Sequence, residues 1–137
     1  EGSAFGQPEV LLGIIPGGGA TQRLTRLVGR ATAKRLIWGG AAVKAAEALA
    51  LGLADEVVGD DEILDRACAL AAGYAAGPRV AIRAAKRAID GGVDMTLADG
   101  VDLELELFLE VFETNDARVG VESFFEHGPG KAHFTGS

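Results

Sequence analysis

The sequence predicts a mainly α chain, with about seven helices and one or two short strands. Three observations predict it. Apolar residues recur at helical spacing from Ala20 almost to the end of the chain. Glycines at 29, 39–40, 52 and 128 fall where those periods stop. Only two stretches, Ala4–Pro8 and Leu53–Val58, read as strands, and two lone strands cannot form a stable sheet by themselves.

Ala4 to Pro8 reads as a strand stopped by proline. Glu9 to Ile15 is apolar apart from its first residue and Gly13, and it ends in the turn Pro16-Gly17-Gly18-Gly19. A helix follows from Ala20, with Leu24, Leu27 and Val28 on one face, Arg23, Arg26 and Arg30 off it, and Gly29 as its stop. A second helix covers Thr32 to Trp38, and a third covers Ala45 to Leu51. Asp60 or Asp61 is placed to cap a fourth, whose apolar face is Ile63, Leu64, Ala67, Leu70, Ala71 and Tyr74. Pro78 opens a fifth, carrying Ile82, Ala85 and Ile89 on one side. Thr96, with Asp99 three residues on, forms a capping-box pattern for the longest helix, with Leu97, Val101, Leu105, Phe108, Leu109 and Phe112. Asp116 is the expected cap of the last, which holds Val121, Phe124 and Phe125.

Composition narrows the function classes. Among 137 residues, 48% are hydrophobic, enough for a core. A net charge of -7 argues against a general nucleic-acid binder. The single cysteine, Cys68, permits no internal disulfide and is expected to be a buried, inert thiol, which fits a reducing, cytoplasmic setting. No apolar run approaches the ~20 residues that span a bilayer. The opening Glu1-Gly2-Ser3 starts abruptly, and the sequence reads as a fragment.

Two features bear on chemistry before any comparison. Glu9 is a carboxylate directly after a proline and before Val10-Leu11-Leu12. A carboxyl among apolar neighbours is suited to giving and taking a proton near neutral pH; the plain alternative is an exposed loop glutamate. The glycines at 17–19 open a helix, but the Gly-Lys-Ser/Thr ending of a phosphate loop is missing, and Gln22 stands where a dinucleotide fingerprint needs glycine. His127 and His133 lack the companions of a metal site, so none is expected. The acidic run Asp102, Glu104, Glu106 and Glu110 reads as a solvated face, and the pairs Phe108/Phe112 and Phe124/Phe125 as core.

The stretch from Phe5-Gly6-Gln7-Pro8-Glu9 through Gly13, Pro16-Gly17 and Gly19 to Thr21-Gln22-Arg23-Leu24 resembles the signature of the enoyl-CoA hydratase/isomerase (crotonase) family. Ala45-Ala46-Glu47-Ala48, Gly52-Leu53-Ala54-Asp55-Glu56-Val57-Val58 and the run from Phe108 through Asp116, Gly120 and Phe124 to Glu126 extend the resemblance over essentially the whole chain. Ala20 and Gly18 depart from it by small-residue swaps; Val119 and His127-Gly128 stand where glutamate and a Lys-Arg pair are usual.

The resemblance implies the C-terminal part of an α/β crotonase (ClpP/crotonase-like spiral) fold. Residues 1–59 would form the end of the crotonase core with its active-site segment, and residues 60–137 a helical trimerisation region. It also implies reversible addition of water to a 2-enoyl-CoA thioester, as in fatty-acid β-oxidation, with Glu9 as one acid/base carboxylate. Gly17 would hold the catalytic water through its backbone N–H, and Lys131 would meet a coenzyme A phosphate. No cofactor beyond the coenzyme A of the substrate is implied, and a homo-oligomer, trimer or dimer of trimers, is. The family's second glutamate and oxyanion donors belong to its first half, so these residues alone are expected to be inactive. The rival readings are an enoyl-CoA isomerase or other acyl-CoA enzyme of the family, and a non-catalytic helical assembly module.

Overall fold

The computed structural model describes residues 1–137. They divide into two units, Glu1–Arg66 and Ala67–Ser137.

In the first unit, β1 (Ala4–Phe5) pairs antiparallel with β2 (Val43–Lys44), with Ala4 opposite Lys44 and Phe5 opposite Val43. Between them in sequence lie a 3₁₀ turn, Pro8–Leu12, and α1, Ala20–Gly39. The two helices expected across 20–38 form one element broken at Gly29, whose φ of 77° and ψ of 163° only glycine adopts readily. α2, Ala45–Ala50, follows β2 directly. Leu36, Val43 and Ala48 form a small core, and Leu24, Leu51, Leu53 and Ala54 pack on it.

The strand expected at Leu53–Val58 does not form, and Val43–Lys44 supplies the second strand instead. Backbone bonding explains this. Leu53 N–H and Ala54 N–H both donate to the Ala48 carbonyl, at 2.8 and 3.3 Å, closing the end of α2 beyond Gly52 in its left-handed conformation. Glu56 is held by Arg66 through two hydrogen bonds of 2.6 and 2.7 Å, which keep its carboxyl below the usual glutamate range.

α3, Ile63–Ala75, begins in the first unit and continues into the second. Its start is bonded through Glu62, whose carboxylate accepts from Gly59 N–H at 3.2 Å. α4, Arg79–Gly92, follows Pro78 as expected, and α5, Leu97–Phe112, packs against it. The approach is close because Gly92 and Gly100 face each other: a Cβ on Gly100 would lie 3.5 Å from the Gly92 carbonyl oxygen. Leu107 and Ala84 are buried on these two helices. Thr96 caps α5 as the pattern predicts, with Asp99 N–H donating to its hydroxyl at 3.2 Å; the Asp99 carboxylate accepts from that hydroxyl at 2.7 Å, where a full capping box would use the Thr96 N–H.

α6, Asn115–His127, corrects the expected cap. Thr114 caps it, accepting from Ala117 N–H at 3.1 Å. Asp116 lies inside the first turn, buried, and bonds the C-terminal tail instead. Two further expectations change. Cys68 is exposed, as is every residue from 61 to 76, because nothing in the chain covers α3. Phe108, Phe112, Phe124 and Phe125 are exposed too. The rings touch within the pairs Phe108/Phe112 and Phe124/Phe125, and each is more than half exposed.

Candidate active site

Local chemistry places Glu9. Pro8 fixes the first residue of the 3₁₀ turn, and Gly13, in the left-handed conformation at φ 76°, ends it. Gly13 N–H donates to the Val10 carbonyl at 3.0 Å and Ile14 N–H to the Glu9 carbonyl at 3.3 Å, so the Glu9 backbone is tied on its C-terminal side. The turn sits against α1: Leu11 covers Gly40, whose hypothetical Cβ would come within 2.9 Å of Leu11 Cγ.

Glu9 is half-buried, but Val10, Leu11 and Leu12 beside it are exposed. The apolar surroundings expected from the sequence are therefore not supplied by these neighbours. A residue the sequence reading passed over does contact the carboxylate. The Gln7 side-chain amide lies 3.2 and 3.3 Å from the two Glu9 oxygens, and with its nitrogen toward them it donates to both. The reverse orientation would set acceptor against acceptor.

The glycine turn follows. Pro16 is buried, while Gly17 and Gly18 are exposed. Gly19, at φ 92°, is the N-terminal cap of α1, and its carbonyl accepts from Gln22 and Arg23 N–H at 3.1 and 2.9 Å. The Arg23 side chain folds back and donates to the Gly18 carbonyl. Gly17 differs from Gly19. Its φ is not positive, and no protein atom lies within 4 Å of where a Cβ would stand. Neither conformation nor packing within the chain calls for glycine there.

Lys131 belongs to the second unit, exposed in the tail after α6, with no hydrogen bond or ion pair to the protein. The structure thus brings Glu9 together with Gln7, and leaves Gly17 and Lys131 with free surroundings. Beside Gln7, an apolar cavity of about 100 Å³ is walled by Phe5, Leu24, Leu36, Val43 and Leu53. That is below the ~300 Å³ at which small-molecule sites begin, and Glu9 is not among its lining residues.

Comparison with known proteins agrees with the residue pattern. The model of the enoyl-CoA hydratase/isomerase family matches residues 1–137. A short-chain-enoyl-CoA hydratase of Clostridioides difficile is 47% identical over 120 residues, covering 88% of this chain and 77% of the relative. Its counterpart in Clostridium acetobutylicum is 42% identical over 122 residues, covering 89% of this chain and 47% of the relative. Among solved structures, an enoyl-CoA hydratase from Bacillus anthracis superposes with a TM-score of 0.84 at 35% identity, over 98% of this chain and 52% of the other. One from Mycobacterium tuberculosis superposes at 0.82 and 32% identity, over 99% and 53%. The chain spans about half the length of most of these relatives. From the match along every residue and the shared crotonase-type fold, the chain belongs to the enoyl-CoA hydratase/isomerase family.

Proposed function

We propose that this chain is part of an enoyl-CoA hydratase, in which Glu9 is one of the two acid/base carboxylates. One observation carries the reading: Glu9 stands in the Gln-Pro-Glu turn of the family segment, half-buried, with its backbone tied at the turn's end and its carboxylate held by Gln7. A positioned carboxylate is what the reaction needs. Water oxygen bonds to the β-carbon of the enoyl thioester, its proton leaves to a base, and the α-carbon takes a proton from an acid. Negative charge builds meanwhile on the thioester oxygen, where backbone N–H groups stabilise it. Those donors and the second carboxylate belong, by the family pattern, to residues preceding this segment.

Gly17 fits the role of water holder. A glycine that neither φ nor packing demands is consistent with a backbone N–H left open to a bound group. Lys131 fits a phosphate contact, as an exposed cation in a segment, Gly128 to Ser137, that contains no acidic side chain. No resident cofactor is called for, since coenzyme A enters with the substrate. The test is conversion of crotonyl-CoA to its 3-hydroxy thioester by the complete protein. Migration of the double bond without hydration would favour the isomerase reading, and absence of any turnover the non-catalytic one.

We also propose a homo-oligomer, trimer or dimer of trimers. α5 and α6 present Leu97, Leu105, Leu109, Phe112 and Phe125 to solvent, Leu97 at 86% and Phe125 at 81% exposure. Large apolar side chains exposed in this number on two neighbouring helices support an interface there. Sedimentation should show a species several times the monomer mass at micromolar concentration; a stable monomer would contradict the assembly.

A further inference from the structure

We infer that Asp116 is a positioning residue, which clasps the C-terminal tail and thereby fixes the loop that carries Lys131 for anion binding. The clasp has six contacts. The buried Asp116 carboxylate accepts from Thr135 N–H at 2.8 Å, the Thr135 hydroxyl at 3.2 Å and Gly136 N–H at 2.7 Å. Asp116 N–H donates to the Ser137 carbonyl at 2.9 Å. Arg79, from the start of α4, donates to the Thr135 carbonyl at 2.7 Å. Phe134 lies over Gly120, where an added Cβ would meet its ring at 3.4 Å.

These contacts close a loop. One end is the C-terminus of α6 at His127, and the other is the pinned segment Phe134–Ser137. Between them, Gly128 and Gly130 take positive φ, and the segment bonds to the protein only at its ends. A short loop with both ends fixed has far less freedom than a loose tail of equal length. Its ionisable side chains are Lys131 and His133, both exposed and neither paired. In a chain of net charge -7, this is a local basic spot held in place by a remote carboxylate. Preorganisation matters for such a contact, because immobilising a lysine on a free tail would cost part of the binding energy.

The ligand assignment, a coenzyme A phosphate, rests on the proposed hydratase reading; the clasp itself does not. Two measurements on the complete protein separate them. First, trypsin cleavage after Lys131 is followed in the native state for wild type, Asp116→Asn and Arg79→Met. Cleavage several-fold faster in both variants is expected, and unchanged rates would overturn the clasp. Second, KM is measured for a crotonyl thioester of coenzyme A and for the same acyl group on pantetheine, which lacks the nucleotide phosphates. Lys131→Ala and Asp116→Asn should each raise KM for the coenzyme A thioester about tenfold, the equivalent of one charge-assisted hydrogen bond. Both should leave kcat and the pantetheine KM near wild type. If Lys131→Ala acts and neither Asp116→Asn nor Arg79→Met does, the positioning role is wrong while the phosphate contact stands. If Lys131→Ala has no effect on KM, the phosphate assignment fails and the positioning role with it. If no variant and no wild type turns over either thioester, the hydratase reading fails, and the trypsin result still decides the clasp.

Discussion

Glu9→Gln in the complete protein should lower kcat by at least ~100-fold, the low end for general acid–base catalysis. Glutamine keeps the shape of the side chain and its ability to hydrogen bond with the Gln7 amide, but it cannot exchange a proton. KM should change little, because the coenzyme A moiety is gripped elsewhere. Melting temperature should hardly move, because Glu9 is half-buried and has no ion-pair partner whose loss would leave a stranded charge. A structural glutamate would give the opposite pattern: activity per folded molecule kept and the melting temperature shifted. Measuring kcat, KM and melting temperature on one preparation distinguishes the two. Retention of more than about a tenth of wild-type kcat would remove Glu9 from the acid/base pair.

The second large effect is on stability. Asp116→Asn should lower the melting temperature at neutral pH by roughly 5 °C, because one carboxylate oxygen becomes an NH2 group facing the N–H donors of Thr135 or Gly136. The pH dependence has a definite sign. Hydrogen bonding from Thr135 N–H, then Gly136 N–H and the Thr135 hydroxyl, with the charge of Arg79, holds the Asp116 carboxyl below the usual aspartate range, against the opposing effect of burial. A group depressed on folding contributes its full stability above its unfolded pKa and loses it as pH falls through the folded one. The gap between wild type and Asp116→Asn should therefore be constant at neutral pH and shrink only below the ordinary aspartate range. Thermal melts of both proteins across that range check it; a gap that widens on acidification would contradict the clasp geometry.

Legibility in the sequence followed the range of the interactions. The Thr96 cap, Pro78 ahead of α4, and the glycine breaks at 29, 39–40 and 52 are local, and all could be read from spacing. The strand at Leu53–Val58 could not be judged that way. Its apolar run is genuine, but Leu53 is drawn into closing α2, and the partner of β1 is the two-residue segment Val43–Lys44, too short to leave a period. Asp116 shows the same limit. Aspartate near a helix start suggests a cap, yet Thr114 two residues earlier takes that role, and the carboxylate bonds residues about twenty positions away. Cys68 and the four phenylalanines were misread for a different reason. Helical periodicity reports an apolar face and not what covers it, and within this chain these faces stay mostly open.

At the site, the Pro-Glu turn and the glycine turn were both legible because they are dense, local motifs. Gln7 was not, since a polar residue before proline looks like an ordinary solvated one until its amide is found against both Glu9 oxygens.

In the proposed hydratase, water adds across the enoyl double bond with Glu9 in the acid/base pair. The most direct measurement is mass spectrometry of the product formed from crotonyl-CoA by the complete protein in oxygen-18 water, with wild type and Glu9→Gln side by side. A 3-hydroxy thioester bearing one labelled oxygen on the β-carbon is expected, formed by wild type and almost absent with the variant. An unlabelled isomerised enoyl thioester, or labelled product formed at comparable rates by both proteins, would contradict it.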